Sequence, residues 1–289
     1  MTAPLALDID GSLSALAARR IDLGRWQEAI RFGCSWPTWK AFQHYLETQL
    51  PDEYGTVCMG SGDFHHLSHL LLQRIRPAEP FDVVVLDNHP DNMRFPFGIH
   101  CGSWVMHAAR LPQVRRIHVL GITSSDVGWR HAWENHLRPL AKGKVRYWTI
   151  GVDTAWAHRL GLGASFTAFD HAQDLVGRFI ADIPQNIPGR VYLSIDKDVF
   201  SPEVARTNWD QGVFALDDAR RMIEGLAGRV VGSDITGEIS LHHYATGWKR
   251  WLSAMDQQPI ISPGDLAQWQ AQQIDVNRQL IAWLQATGI

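Results

Sequence analysis

The chain has 289 residues, of which 45% are hydrophobic and 20% are charged. This composition excludes a disordered or fibrous protein and predicts a single globular domain over residues 1–289. Lys and Arg number 27 and Asp and Glu number 30, so the formal net charge is −3. A charge this close to zero disfavours a broad electrostatic contact with nucleic acid or with an anionic membrane surface. We therefore expect a small-molecule ligand.

Cysteine usage and the N-terminal segment indicate the compartment. Cys34, Cys58 and Cys101 lie far apart and form no CxxC pair, which predicts neither a disulfide framework nor a thiolate zinc site. The N-terminal residues lack a basic region followed by a long apolar run, and no apolar run has the length of a membrane span. We expect a cytoplasmic protein without a membrane segment.

Short β-branched apolar runs alternate with segments of helical periodicity. Strands are predicted at residues 4–8, 56–60, 81–87, 116–121, 145–151, 190–196 and 230–235, with a weaker eighth at 259–261. Helices are predicted between them at residues 66–75, 102–109, 169–183, 216–226 and 263–286. This alternation is typical of a parallel sheet covered by helices on both faces. The predicted fold class is therefore α/β with about eight strands.

Four polar clusters follow predicted strands. They are GSGDFHH at residues 60–66, LDNHPD at 86–91, SIDKD at 194–198 and GSDITGE at 232–238. Ligands of open parallel sheets bind at the carboxyl ends of the strands. The shared position of the clusters therefore predicts one functional site built from all of them.

Two of the clusters place acidic residues at alternate positions. Asp87, His89 and Asp91 stand at i, i+2 and i+4, so an extended strand end would aim all three side chains the same way. Asp196 and Asp198 repeat the spacing. Converging carboxylates repel one another unless a cation neutralises them, so we predict a metal site. DNHPD alone could also be a turn, because Asp, Asn and Pro are turn formers.

The donor set indicates which metal would bind. With His65 or His66 added, it has four carboxylates, two imidazoles and no thiolate, which suits Mn²⁺ better than a structural zinc. Six ligands exceed the needs of one catalytic ion with an open position. We therefore predict two ions bridged by carboxylate and by a water or hydroxide. The ions would lower the pKa of the bridging water, so that it becomes a nucleophile near neutral pH.

The motifs resemble those of the arginase/agmatinase family, the ureohydrolases. That family carries, in this order, the motifs GGDH, DxHxD, HG, SxDxD and GxDxxE. This chain has corresponding segments in the same order: GSGDFHH, DNHPD, the triplet at residues 100–102, SIDKD and GSDITGE. The resemblance implies a three-layer α/β/α arginase-like fold with a mostly parallel sheet. It also implies a hydrolase with a binuclear manganese centre that cleaves a C–N bond of a guanidino or amidino compound. Homo-oligomers are common in that family.

The resemblance also implies roles for individual residues. It makes Asp87, His89, Asp91, Asp196 and Asp198 metal ligands. The sixth ligand should be the histidine directly after the motif aspartate, but Phe64 stands there. We predict that His65 replaces it, because it shares strand parity with Asp63. His66 is the alternative.

Candidate catalytic and substrate-binding residues lie near these ligands. His100 matches the family's proton-shuttle histidine, Asp198 would orient the attacking hydroxide, and Glu238 is the candidate for gripping a guanidinium. Glu238 stands four residues after the motif aspartate, where the family has three, because Gly237 is inserted. The candidate substrate-binding residues, which could recognise a carboxylate or an aromatic ring, are Arg94, Asn208 and Trp209.

Three alternatives remain at this point. The segment LALDIDGSL is similar to the nucleophile motif of haloacid-dehalogenase-type phosphatases, in which Asp8 and Asp10 would act with Mg²⁺. A zinc deacetylase would bind a single ion through Asp, His and Asp. A non-catalytic arginase-fold protein would keep the fold and bind a small molecule or a partner. The number of metal ions per chain distinguishes the single-ion deacetylase from the binuclear hydrolase.

Overall fold

A parallel sheet of nine strands forms the centre of the computed structural model, which describes residues 2–250 and 261–287. Its strands are β1 (Leu5–Asp8), β2 (Arg19–Asp22), β4 (Val57–Cys58), β5 (Phe81–Leu86), β7 (Val114–Ile122), β8 (Val145–Ile150), β9 (Phe166–Phe169), β10 (Val191–Asp196) and β11 (Val230–Thr236). The order across the sheet is β2-β1-β4-β11-β10-β5-β7-β8-β9. All these neighbours pair in parallel.

All seven of the main predicted strands are confirmed. The two central strands β5 and β10 are buried at every residue, which matches their unbroken apolar runs. The edge strand β2 was not predicted, because its sequence RRID buries only Ile21 and lacks an apolar pattern. The edge strand β9 was missed as well. The weaker strand expected at 259–261 lies mostly outside the described residues, and Ile261 is not in a strand.

Helices connect the strands. They are α1 (Gln27–Ile30), α2 (Trp36–Gln49), α3 (Ser68–Arg74), α4 (Trp104–Ala108), α5 (Leu137–Ala141), α6 (Ala155–Arg159), α7 (Ala172–Ala181), α8 (Ile183–Asn186), α9 (Leu216–Gly225) and α10 (Pro263–Ala286). The five predicted helices correspond to α3, α4, α7, α9 and α10. The longest one missed is α2, which Ser35 caps by accepting a hydrogen bond from the Thr38 amide.

The helices cover both faces of the sheet, so the predicted three-layer fold is confirmed. Side chains of α2, α3 and α4 join one hydrophobic core, and those of α7, α9 and α10 join a second. Ile274, Leu280 and Leu284 are buried in the second core, so α10 covers the sheet. Within the described residues, no helix is long and apolar enough to cross a membrane.

A small antiparallel sheet lies beside these layers and positions His100. It pairs β3 (Gly33–Ser35) with β6 (Gly98–His100), and Gly33 stands opposite His100. A Cβ atom at Gly33 would lie 2.5 Å from the Cβ of His100, so only glycine permits this approach. The sheet thereby fixes the backbone of His100 and of the neighbouring residue Phe32.

Candidate metal centre

Carboxylates gather around one ring nitrogen at the carboxyl ends of the central strands. Nδ1 of His65 lies 3.0 Å from Oδ2 of Asp91, 3.2 Å from Oδ2 of Asp87 and 3.3 Å from Oδ2 of Asp196. All four side chains are almost completely buried. One ring nitrogen carries at most one proton, which cannot satisfy three carboxylates, whereas a cation between them can. His65 therefore lies among the predicted carboxylate ligands, where it could complete the set.

A second group adjoins the first. Nδ1 of His89 lies 2.9 Å from Oδ2 of Asp198 and 3.7 Å from Oδ1 of Asp87. Each group, His65 with Asp87 and Asp91 and His89 with Asp87 and Asp198, has ligand atoms within 4.8 Å of one another and can hold a metal ion. Asp87 belongs to both groups, so the two positions are adjacent.

The crowding of these groups shifts their pKa values. Burial and the neighbouring Asp87 raise the pKa of Asp91 to about 6 and that of Asp198 to about 7. Burial and Asp198 raise the pKa of Asp196 well above its usual range. Burial also acts on Asp87, but hydrogen bonds with both histidines outweigh it and lower its pKa. Protons thus compensate for carboxylate repulsion that a divalent cation would relieve more completely.

A chain of hydrogen bonds fixes the orientation of His65. Its Nε2 atom lies 2.9 Å from Oγ of Ser194, and that hydroxyl donates to Oδ1 of Asp234 at 2.6 Å. Ser194 belongs to the SIDKD cluster and Asp234 to the GSDITGE cluster. These partners hold the ring so that Nδ1 faces the carboxylates, as outer partners of metal-binding histidines do.

Two further residues that contact the ligands were not identified from the sequence. Nε1 of Trp104 donates a hydrogen bond of 2.6 Å to Oδ2 of Asp91, whose backbone has a φ of +46°. Oδ1 of Asp210 lies 2.7 Å from Nε2 of His89. Neither residue belongs to a motif or follows a periodic pattern. The only available signal for Asp210 was an acidic residue in the irregular loop after SIDKD.

The cluster opens into a cavity of about 1350 Å³. Its lining includes all six predicted ligands and the candidate residues His100, Arg94, Asn208 and Trp209. His100 accepts a hydrogen bond from the Gly102 amide through Nδ1 at 3.0 Å, and burial lowers its pKa to about 4. Asn208 is less accessible, because its side-chain amide pairs with the backbone of Ser240 in both directions at 2.9 Å.

Glu238 lies in a different environment from the one expected. Its side chain is 1% exposed and accepts hydrogen bonds from Lys197 and from Nδ2 of Asn277 in α10. Glu238 does not belong to the cavity lining. The inserted Gly237, with a φ of +92°, precedes it and changes the course of the backbone. The structure thus places Glu238 in a buried ion pair outside the cavity lining, and its expected role in binding a guanidinium stays a prediction.

The two aspartates of the phosphatase alternative also have structural partners. Asp8 forms an ion pair of 2.6 Å with Arg20 at the edge of the sheet. Asp10 accepts a hydrogen bond of 2.7 Å from Ser240 and lies 3.6 Å from the buried guanidinium of Arg31. Neither aspartate lines the cavity. Their contacts account for the LALDIDGSL segment without a phosphatase site.

The parallel sheet between two helical layers, with polar clusters at its carboxyl ends, defines an arginase-like α/β fold. Proclavaminate amidinohydrolase from Streptomyces clavuligerus is similar in structure, with a TM-score of 0.56 at 15% identity over 97% of this chain and 90% of that chain. Agmatine ureohydrolase from Thermoplasma volcanium gives a TM-score of 0.53 at 15% identity over 98% of this chain and 89% of that one. The resemblance inferred from the motifs is thus confirmed at the level of the fold.

Sequence comparison alone gives less information about the family than structural comparison does. An uncharacterized protein from Thermotoga maritima is 28% identical over 194 residues, which are 67% of this chain and 62% of that protein. The matched region therefore spans less than two thirds of that relative. No protein-family model matches the chain.

Proposed function

We propose that this chain is a divergent ureohydrolase, a metal-dependent enzyme that hydrolyses a C–N bond of a guanidino or amidino compound. The observation that carries the proposal is the position of Asp87, which belongs to two adjacent groups able to hold a metal ion. The shared fold supports it, since two proteins of this fold are named as an amidinohydrolase and a ureohydrolase. A single-ion deacetylase site would leave the second group, His89 with Asp198, without a role.

The residues fit a pair of manganese ions. His65, Asp87, Asp91 and Asp196 would hold one ion, and the shared Asp87 would hold the other together with His89 and Asp198. Carboxylates with imidazole and without thiolate suit Mn²⁺. Such a pair of ions, when bound, supplies Lewis acidity at an sp² carbon and lowers the pKa of a shared water, which makes it nucleophilic near neutral pH.

Two side chains of the cavity are placed to direct the reaction. Asp198 lines the cavity, and its carboxylate can accept a hydrogen bond from the attacking water and so orient it. Nδ1 of His100 already accepts the Gly102 amide, so the neutral ring carries its proton on Nε2. His100 can therefore donate a hydrogen bond to the nitrogen that leaves and so orient it, while the attacking water supplies the proton with which this nitrogen departs as an amine.

The experiment that tests this proposal combines metal analysis with assays. Purified protein loaded with Mn²⁺ is examined by elemental analysis and is assayed against a panel of guanidino and amidino compounds for release of urea or ammonia. We expect about two ions per chain and turnover of at least one compound. Full metal occupancy without turnover across the panel would refute the hydrolase, and one ion per chain would refute the binuclear centre.

A pair of variants controls for folding and for contaminating activity. Asp87→Asn removes the carboxylate that both groups share, so both ions and all turnover should be lost. Asp174→Asn makes the same change at an exposed position on α7 and should bind metal and turn over as the unaltered protein does. Activity that survives in Asp87→Asn would show that it arises elsewhere.

A further inference from the structure

A row of aromatic rings leads from the candidate metal centre toward the cavity mouth. Trp209 lies 6.2 Å from the ring of His89 and stacks on Phe32 at 6.1 Å. Phe32 stacks on His100 at 5.9 Å, and His100 meets Phe95 edge to face at 4.6 Å. All five rings line the cavity, so a ligand in front of the metal centre would lie against a continuous aromatic wall.

The row ends in two rings that are open to solvent. Phe97 and Trp248 lie 6.1 Å and 6.4 Å from Phe95, and they are 76% and 42% exposed. Both also line the cavity. Exposed rings continuous with a concave aromatic wall are typical of a site that binds an apolar ligand.

The innermost ring is held in place by a buried network. Nε1 of Trp209 donates to Oδ1 of Asp63 at 3.2 Å, and the other oxygen of Asp63 accepts from Nε of Arg31 at 2.7 Å. Arg31 and Asp63 are almost completely buried. Because the indole is fixed before a ligand arrives, little conformational entropy is lost when a ligand packs against its face.

The charged groups of the cavity mouth do not favour an anionic ligand. Arg94 is exposed and donates through Nε to the carbonyl of Asn135 at 3.3 Å. Among the described residues of the lining, Asp126 and Glu134 add two carboxylates to the guanidinium of Arg94 at the mouth. His131 is paired with Glu134 at 3.0 Å. A carboxylate on the ligand would lie near the carboxylates of Asp126 and Glu134 here, which disfavours it, whereas a cation would be attracted to them.

We propose that the substrate is a guanidinium or amidinium cation that carries an aromatic or similarly bulky apolar group and no carboxylate. The cationic head faces the candidate metal centre, and the apolar group packs against Trp209, Phe32 and Phe95. Phe97 and Trp248 cover its outer end. This inference rests on the proposed function and names its substrate class.

Binding to the manganese-loaded protein tests the inference without requiring turnover. Calorimetry compares methylguanidine, benzylguanidine and 4-(guanidinomethyl)benzoate, which differ first by a ring and then by a carboxylate. We expect benzylguanidine to bind about 10 to 100 times more tightly than methylguanidine, because the ring is buried. The benzoate should bind at least about tenfold more weakly than benzylguanidine, because of the carboxylates at the mouth.

Variants test which side chains cause the preference for benzylguanidine over methylguanidine. Phe97→Ala and Trp248→Ala should each reduce the advantage of benzylguanidine over methylguanidine by about threefold to tenfold. Trp133→Ala removes a tryptophan that is 69% exposed and does not line the cavity, and it should preserve the full preference. The inference is overturned if the two guanidines bind equally, or if the cavity variants change only the oligomeric state seen by light scattering.

The same compounds separate failure of this inference from failure of the proposed function. If none is turned over while benzylguanidine still binds preferentially, the hydrolase is refuted and the aromatic site stands. If methylguanidine binds as tightly and is turned over as efficiently as benzylguanidine, the hydrolase stands and the substrate class is refuted.

Discussion

Oδ1 of Asp210 lies 2.7 Å from Nε2 of His89, on the side of the imidazole opposite to Nδ1, which faces Asp198 at 2.9 Å. The other oxygen of Asp210 accepts a hydrogen bond from Nδ2 of Asn88 at 3.2 Å. A carboxylate in this position fixes the ring of a metal-binding histidine and increases the basicity of its coordinating nitrogen. Asp210 is therefore a positioning residue for the second metal group.

Replacing Asp210 should weaken the binding of one metal ion and leave the binding of the other unchanged. We expect Asp210→Asn to raise the Kd of the Mn²⁺ held by His89 by about tenfold. This is the low end of such effects, because the side chain of Asp210 is 67% exposed. Calorimetric titration of metal into chelated protein resolves the two ions. Glu203→Gln changes an exposed carboxylate of the same loop and is the matched control. Equal Kd values in Asp210→Asn and the unaltered protein would contradict the assignment.

The buried pair of Lys197 and Glu238 predicts a loss of stability. Glu238→Gln leaves the ammonium of Lys197 buried without a charged partner, which should reduce the free energy of unfolding by about 3 kcal/mol. Urea denaturation of the variant measures this. The double variant Lys197→Met with Glu238→Leu removes both charges and should regain most of the loss. If Glu238→Gln is as stable as the unaltered protein but loses affinity for guanidino compounds, Glu238 is a substrate ligand after all.

The sequence predicted that polar clusters at the strand ends meet, but the expected extended conformation of residues 87–91 was wrong, since the strand ends at Leu86 and Asp91 has a φ of +46°. Asp87 and Asp198 come together because β5 and β10 are neighbouring parallel strands, and neighbouring strands bring their carboxyl ends to one edge. Strand parity also favoured His65 over His66, but residues 62–67 form a 3-10 helix, so parity does not explain why His65 faces the carboxylates. The prediction that the clusters meet required only the parallel arrangement of the sheet.

Contacts made by irregular segments could not be predicted in this way. Asp210 reaches His89 from a loop 121 residues further along the chain, and Trp104 reaches Asp91 from the start of a short helix. Periodicity carries no information on such distant pairs. The surroundings of Glu238 were not predicted for a related reason, since it follows β11 in an irregular segment directly after Gly237, whose φ is +92°. The sequence therefore predicted the residues at the strand ends better than the contacts made by loops.

Gly237 itself should tolerate no side chain. Its φ is +92°, and an added Cβ would lie 2.4 Å from Oδ1 of Asp196 and 2.7 Å from the amide nitrogen of Lys197. We expect Gly237→Ala to lower the free energy of unfolding by more than about 2 kcal/mol and to reduce metal occupancy, because Asp196 must move. Thermal unfolding and elemental analysis measure the two effects.

A matched glycine separates backbone strain from the steric clash. Gly228 has a φ of +74°, and an added Cβ would meet no atom within 4 Å. Gly228→Ala should therefore show only the strain of a positive φ, about 1 kcal/mol, with normal metal occupancy. If both variants lose stability and metal occupancy to the same extent, the contact with Asp196 is not the cause of these losses in Gly237→Ala.

A buried histidine outside the site predicts how stability depends on pH. His118 lies beneath Trp148, whose Nε1 donates to its Nδ1 at 3.3 Å, and burial together with Arg116 lowers its pKa to about 3. Between that value and the unfolded value near 6.5, the unfolded chain binds the extra proton, so stability falls as the pH falls. Relative to His118→Gln, which removes this proton site, the unaltered protein should lose about 2 kcal/mol between pH 7 and pH 5. Urea denaturation at both pH values measures the difference, and parallel losses in the two proteins would show that His118 does not contribute.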